Sequence, residues 1–209
     1  MSNEVRAAYD TMAKRYAALD HRIDRIPTDR EWLDAFAEMA RDRRGPVADL
    51  GCGTGHVVQH LSELGLAACG YDISRAQIAE AQRGFPDAQF AVGDLASLDV
   101  ADESLGGVVS RYSLIHVVPS RLARIFDDWH RVLEPGAPVL IQHFAAASAP
   151  RHGTPFDHAV VTAYELYPAT IEKQLDHAGF GDIKVGRRAP LASERQLDHA
   201  TLLGRKLGG

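Results

Sequence analysis

Apolar positions fall first at helical spacing and later in short clustered runs. Val5, Tyr9, Met12, Tyr16 and Leu19 recur every three or four residues, which predicts one amphipathic helix over residues 2–19. Beyond Pro27, Thr28 with Glu31 reads as a capping box. It opens a second helix through Trp32, Phe36 and Met39, closed by the arginine cluster at 41–44 and by Gly45-Pro46. From there apolar runs alternate with helical stretches. Residues 47–50, 67–71, 88–92, 107–111 and 138–144 read as strands. Helices are expected over 55–64, ended by Gly65, over 74–83, opened by a Ser74–Gln77 capping box, and from Pro119 to Leu133. Pro168 opens a last helix that Gly179 ends, and residues 182–188 and 196–205 read as two closing strands. Residues 145–167 show weak periodicity, and a segment that long is usually functional or disordered.

Strands alternating with helices predict an α/β fold: a doubly wound, mostly parallel seven-stranded sheet preceded by N-terminal helices. The last two strands have no helix between them, so the last strand is expected to run antiparallel. Composition narrows the class. The 209 residues are 45% hydrophobic and 24% charged, ordinary for a soluble globular chain. A net charge of −5 lacks the basic excess of a nucleic-acid binder. No apolar run approaches a membrane span, and the N-terminus has no apolar leader, so a cytoplasmic protein without membrane attachment is expected. The two cysteines, Cys52 and Cys69, imply no disulfide framework.

Candidate chemistry gathers at the ends of the strands. Gly51, Gly53 and Gly55, with Cys52 and Thr54 between them, link the first strand to a helix. Such a loop lets a ligand approach backbone N–H groups at the positive end of a helix. The next position is His56, where the dinucleotide fingerprint has glycine. Asp72 ends the second strand and is placed to accept from both hydroxyls of a ribose; the plainer reading is a helix-start acid before Ser74. Ile73 beside it either packs on an adenine face or belongs to the core. Asp94 ends the third strand and is placed for an adenine amine, with the Leu95 N–H reaching a ring nitrogen; an ordinary turn aspartate is the alternative. Arg111 ends the fourth strand. In doubly wound sheets ligands bind beyond these carboxyl ends.

The ordered set Asp49-Leu50-Gly51-Cys52-Gly53-Thr54-Gly55, Gly70-Tyr71-Asp72, Gly93-Asp94-Leu95 and Leu133-Glu134-Pro135-Gly136-Ala137 resembles the class I S-adenosylmethionine (SAM) dependent methyltransferases, most closely their small-molecule branch. Tyr9-Asp10-x-x-Ala13-x-x-Tyr16 resembles an N-terminal signature of that branch. The resemblance implies a SAM cofactor yielding S-adenosylhomocysteine (SAH). Asp49 would orient the SAM amino group, Gly51 and Gly53 would admit the methionine portion and ribose, Asp72 would hold the ribose and Asp94 the adenine. Arg111 and Tyr112 would lie near the methionine portion and the methyl. It also implies a helical lid over 1–45, with Tyr9 and Tyr16 folding over the cofactor or merely packing on the domain. Residues 46–209 would form a Rossmann-like domain with a substrate-covering insert at about 145–167. Ser110-Arg111-Tyr112-Ser113 departs from the Asn/Asp-Pro-Pro-aromatic segment of nucleic-acid amino methyltransferases, which favours a small organic acceptor methylated at O or N.

His116, just after the fourth strand, is the first candidate for a general base because histidine titrates near neutrality; the plainer reading is a packing or hydrogen-bonding histidine beside the next helix. His143 is a second candidate, or a satisfied core histidine. Arg151, His152, Phe156, His158, Tyr164 and Glu165 make the long segment a candidate acceptor contact, Tyr164 among them, or a solvated loop. The histidine spacing matches no metal motif, so no metal is expected. A monomer or homodimer is expected. The same cradle would also serve a SAM-binding regulator, or an enzyme using SAM for intramolecular cyclisation.

Overall fold

The computed structural model describes residues 3–18, 26–147, 153–158 and 160–208; Leu19, Arg151 and His152 lie outside them. Two helices come first, α1 (Asn3–Ala17) and α2 (Pro27–Ala40). The alternating part follows as β1 (Val47–Leu50), α3 (His56–Glu63), β2 (Ala68–Asp72), α4 (Arg75–Gly84), β3 (Gln89–Val92), β4 (Gly107–Arg111), α5 (Leu122–Val132) and β5 (Pro138–Phe144). A small antiparallel hairpin, β6 (Thr154–Phe156) with β7 (Ala163–Glu165), precedes α6 (Pro168–His177), β8 (Phe180–Arg188) and β9 (His199–Lys206).

The main sheet has seven strands in the order β3-β2-β1-β4-β5-β9-β8. The first five are parallel, and β9 runs antiparallel to both β5 and β8. The expected α/β architecture with an antiparallel last strand is what forms. Strand alternation divides the core into two layers. Ala48, Leu50, Val108, Val139, Ile141 and Leu202 join α5 and α6 on one face. Val47, Val109, Leu140 and Leu203 meet Leu33, Phe36 and Ala40 of α2 and Leu61 of α3 on the other.

Three local expectations differ. The Thr28–Glu31 capping box does not form, because α2 begins at Pro27, whose missing N–H needs no cap, and Ile26 precedes it. Half of the second box forms: the Ser74 hydroxyl accepts from the Gln77 N–H at 3.1 Å, while the Gln77 amide makes no return bond. The weakly periodic segment holds the β6–β7 hairpin, whose strands are too short to show alternation.

Trp129 of α5 is fully buried, and its indole N–H donates to the Leu95 carbonyl at 2.9 Å. This bond fixes the turn after β3 to the core. Trp129→Phe removes the donor and part of the ring; a loss of about 1–3 kcal/mol is expected in urea unfolding.

Candidate functional site

The chain starts the alternating part at the centre of the sheet with β1, moves outward to β3, and returns to the other side of β1 with β4. The order reverses between β1 and β4, and a crevice opens there at the carboxyl ends. The cavity in this crevice holds about 670 Å³ and reaches from Gly93 after β3 to Phe144 at the end of β5. Five strands spaced at ~4.8 Å span roughly 19 Å, enough for an extended ligand plus a second small molecule.

One wall is the loop after β1. The Asp72 carboxylate accepts from the Gly53 N–H at 2.9 Å and the Ser74 N–H at 2.8 Å, and so ties this loop to the start of α4. Gly53 has φ +51°, and a Cβ there would touch only Gln77 Oε1, at 4.0 Å. The backbone at Gly53 is therefore open to close approach. Gln77 lines the cavity, is buried, and has no partner for either amide atom among the described residues. An unpaired buried amide on a cavity wall fits a ligand with hydroxyls or ring nitrogens. Asp10 of α1 accepts from the Ser74 hydroxyl at 2.6 Å and the Ala76 N–H at 3.1 Å, which anchors α1 beside this wall.

The floor is a polar row on the α2 face of the sheet. Asp49, Arg111, Gln142 and Thr201 share strand parity with the apolar Val47, Val109, Leu140 and Leu203. Arg111 Nε donates to Gln142 Oε1, and Gln142 Nε2 donates to Thr201 Oγ1 at 3.1 Å, each pair directly opposite in register. Asp29, buried in the first turn of α2, accepts from Arg111 and from Arg188 at 3.0 Å each. Arg188 also donates to Glu194 at 2.7 and 2.8 Å. Burial pushes the Asp49 carboxyl up to about 7, with Arg111 pulling it down and Asp72 pushing it further up. A carboxyl and a guanidinium side by side suit a zwitterionic amino-acid group.

Rings line the far end. Tyr9, Tyr16, Tyr112, His116, Phe144 and His158 all face the cavity. The Tyr9 hydroxyl lies 2.7 Å from His116 Nε2, and His116 Nδ1 lies 3.5 Å from the Thr162 carbonyl. A carbonyl only accepts, so the proton sits on Nδ1 and Nε2 accepts from Tyr9.

Most of the expected residues converge: Tyr9, Tyr16, Asp49, Gly51, Cys52, Gly53, Thr54, Asp72, Ile73, Leu95, Arg111, Tyr112 and His116 line one cavity. Five of the expected site residues are placed otherwise. Both ring nitrogens of His116 are engaged within the protein, and burial, then His158, pushes its pKa down to about 4. It is a weak proton acceptor, unlike the near-neutral base anticipated. His143 lies outside the cavity: it shares parity with Val139 and Ile141, is completely buried, and is held down to about 4 by burial. Tyr164 packs against the α5–α6 core. Gly55 does not line the cavity; a Cβ there would stand 2.6 Å from the Phe90 ring, so its glycine serves packing. Asp94 caps its own turn by accepting from the Ala96 N–H at 2.9 Å, and only its neighbours Gly93 and Leu95 reach the cavity.

Asp29, Gln77 and Glu194 were not anticipated. Asp29 carries no sequence signal beyond its place in a helix's first turn, and Gln77 none beyond half of a capping box. Glu194 lies in a connection with no periodic signal. No cluster of histidine, cysteine and acidic residues suited to a metal occurs among the described residues. No helix among them is long and apolar enough to cross a membrane.

Residues 47–136 match a family model described as a methyltransferase domain. A demethylmenaquinone methyltransferase from Beutenbergia cavernae is 30% identical over 68% of this chain and 59% of its own length. The chain thus spans less than two thirds of such relatives. Among solved structures, phosphoethanolamine N-methyltransferase 2 of Haemonchus contortus in complex with S-adenosyl-L-methionine superposes with a TM-score of 0.67 at 20% identity, covering 86% of this chain and 53% of that one. The [4+2]-cyclase SpnF superposes with a TM-score of 0.68 at 19% identity, covering 87% and 82%. These two likenesses concern the fold.

The raised pKa of Asp49 carries a stability consequence. Between its unfolded value near 3.8 and its folded value of about 7, the native state holds a proton that the unfolded state has lost. Stability from this group is therefore present below about pH 4 and lost as pH rises to about 7. Asp49→Asn should gain on the wild type by up to about 1.4 kcal/mol per pH unit across this window in urea unfolding. A constant difference would show that Asp49 is ionised throughout.

Proposed function

We propose that this chain is a class I SAM-dependent methyltransferase that binds SAM in the strand-end cavity and transfers its methyl group to an oxygen or nitrogen of a small organic acceptor. The observation that carries this reading is the continuity of one cavity from the Asp72–Gly53–Gln77 wall, across the Asp49–Arg111 floor, to a ring-lined end. SAM supplies an electrophilic methyl on a sulfonium. The chain's own residues supply position and dryness. Asp72 and the open backbone at Gly53 hold the ribose, with Gln77 adding a donor and an acceptor. Ile73, Gly93 and Leu95 border the base. Asp49 and Arg111 hold the amino-acid end.

The acceptor enters among Tyr9, Tyr16, Tyr112, Phe144 and His158, whose faces suit a planar or largely apolar molecule. Residues 1–45 act as the lid, with α1 fastened by Asp10 to α4 and by Tyr9 to His116. Closing it excludes water and aligns the nucleophile with the methyl. The protein works in the cytoplasm, on neither nucleic acid nor membrane, as a monomer or homodimer.

Two measurements follow. Asp72→Ala should weaken SAH binding by roughly 1.5–3 kcal/mol, the range for charge-assisted hydrogen bonds, by calorimetry; unchanged affinity removes Asp72 from the site. A screen of small phenols, amines and carboxylic acids with SAM should yield SAH with at least one acceptor. Release of methylthioadenosine in its place would point to cyclisation, and SAH binding without turnover on any acceptor to a regulator.

A further inference from the structure

We propose that Tyr112 takes the acceptor's proton during transfer and that His199 and Glu194 are the positioning residues behind it. The proposal rests on reading the ring-lined end of the cavity as the acceptor site. Tyr112 and Glu194 both line that end. Tyr112 has φ +53°, a left-handed backbone that a bulky aromatic residue rarely adopts and that tends to mark functional sites. The conformation is held by its N–H donating to the Gln142 carbonyl at 2.8 Å and by ring contacts with Phe144 and His199. It sets the Tyr112 hydroxyl 2.6 Å from His199 Nδ1.

Behind that bond stands a proton sink. If Tyr112 donates to Nδ1, the His199 proton is on Nε2, which lies 3.7 Å from Glu194 Oε2 and has no hydrogen-bond partner among the described residues. Glu194 is held by two bonds from Arg188 and one from the Leu191 N–H, and Arg188 keeps its carboxyl down at about 2. Burial, then Arg188, pushes the His199 imidazole down from its ordinary value, while Glu194, Asp29 and Asp198 favour the imidazolium. The neutral ring is therefore favoured, and a carboxylate faces its Nε2. The other tyrosine–histidine pair, Tyr9 with His116, has only the Thr162 carbonyl behind it and His158 opposing a positive charge. A carboxylate stabilises an imidazolium where a carbonyl does little, so Tyr112–His199 is the better base.

The step balances. The acceptor's O or N lone pair forms the new bond to the methyl carbon, and the methyl–sulfur bond breaks with its electron pair left on sulfur. The acceptor's proton passes to Tyr112 Oη as the Tyr112 proton passes to His199 Nδ1. The proton leaves to solvent when the products do, which restores the pair.

The decisive experiment is nitrogen NMR of histidine-labelled protein with SAH as the probe ligand. His199 should carry its proton on Nε2 at neutral pH. Glu194→Gln should lower its ionisation midpoint, and Tyr112→Phe should move the Nδ1 signal to that of an unbonded ring nitrogen without changing SAH affinity. A proton on Nδ1, or a midpoint indifferent to Glu194→Gln, overturns the relay. If the wild type fails to bind SAH, the methyltransferase reading falls while the tautomer still reports on the relay. With the acceptor identified by SAH release, Tyr112→Phe should lower kcat by about a hundredfold or more and remove the acid limb of the pH–rate profile; an equal kcat contradicts the assignment.

Discussion

The Asp72 carboxylate accepts from the Gly53 and Ser74 N–H groups at once, which fastens the loop after β1 to the end of β2 and the start of α4. Ser74 passes the tie on, accepting from the Gln77 N–H and donating to Asp10 of α1. One half-buried acid thereby sets the glycine loop, orients the helix that carries Gln77 and brings the N-terminal helix to the mouth of the sheet. Burial raises its pKa, and the two N–H bonds oppose that rise by favouring the carboxylate. The wall is organised before any ligand arrives, which spares a ligand the cost of ordering it.

The second wall depends on strand register. Arg111, Gln142 and Thr201 stand opposite one another on β4, β5 and β9, and their side chains bond across the sheet. Asp29 and Arg188 close this row from α2 and β8, and Glu194 joins it to His199 and Tyr112. The Asp49–Arg111 floor of the cavity and its ring-lined end therefore share one electrostatic frame. A change at Glu194 is felt at Tyr112 through His199, and at Asp29 through Arg188.

The parallel half of the fold was legible because its strands are short apolar runs, the first three closed by a glycine or an acid, and its helices carry start or stop residues. Asp49, Asp72 and Arg111 could be placed from strand ends alone. Parity was harder: His143 and Phe144 are neighbours in one buried strand, and only the register with β9 shows that Phe144 faces the cavity while His143 faces α5 and α6. Burial was hidden as well. Nothing around Asp29 distinguishes an exposed helix-start acid from one bound by two arginines, and nothing around His116 reveals that its ring nitrogens are already engaged. The β6–β7 hairpin and the Glu194 connection owe their positions to contacts distant in sequence, which local pattern does not encode.

The central claim is that the strand-end cavity reads adenosine joined to an amino acid, in a loop that lacks the third dinucleotide glycine. Calorimetric titration of the wild-type protein with SAH and, separately, with NAD tests it most directly. The account predicts saturable binding of one SAH per chain and no comparable heat with NAD; tight NAD binding without SAH binding would contradict it.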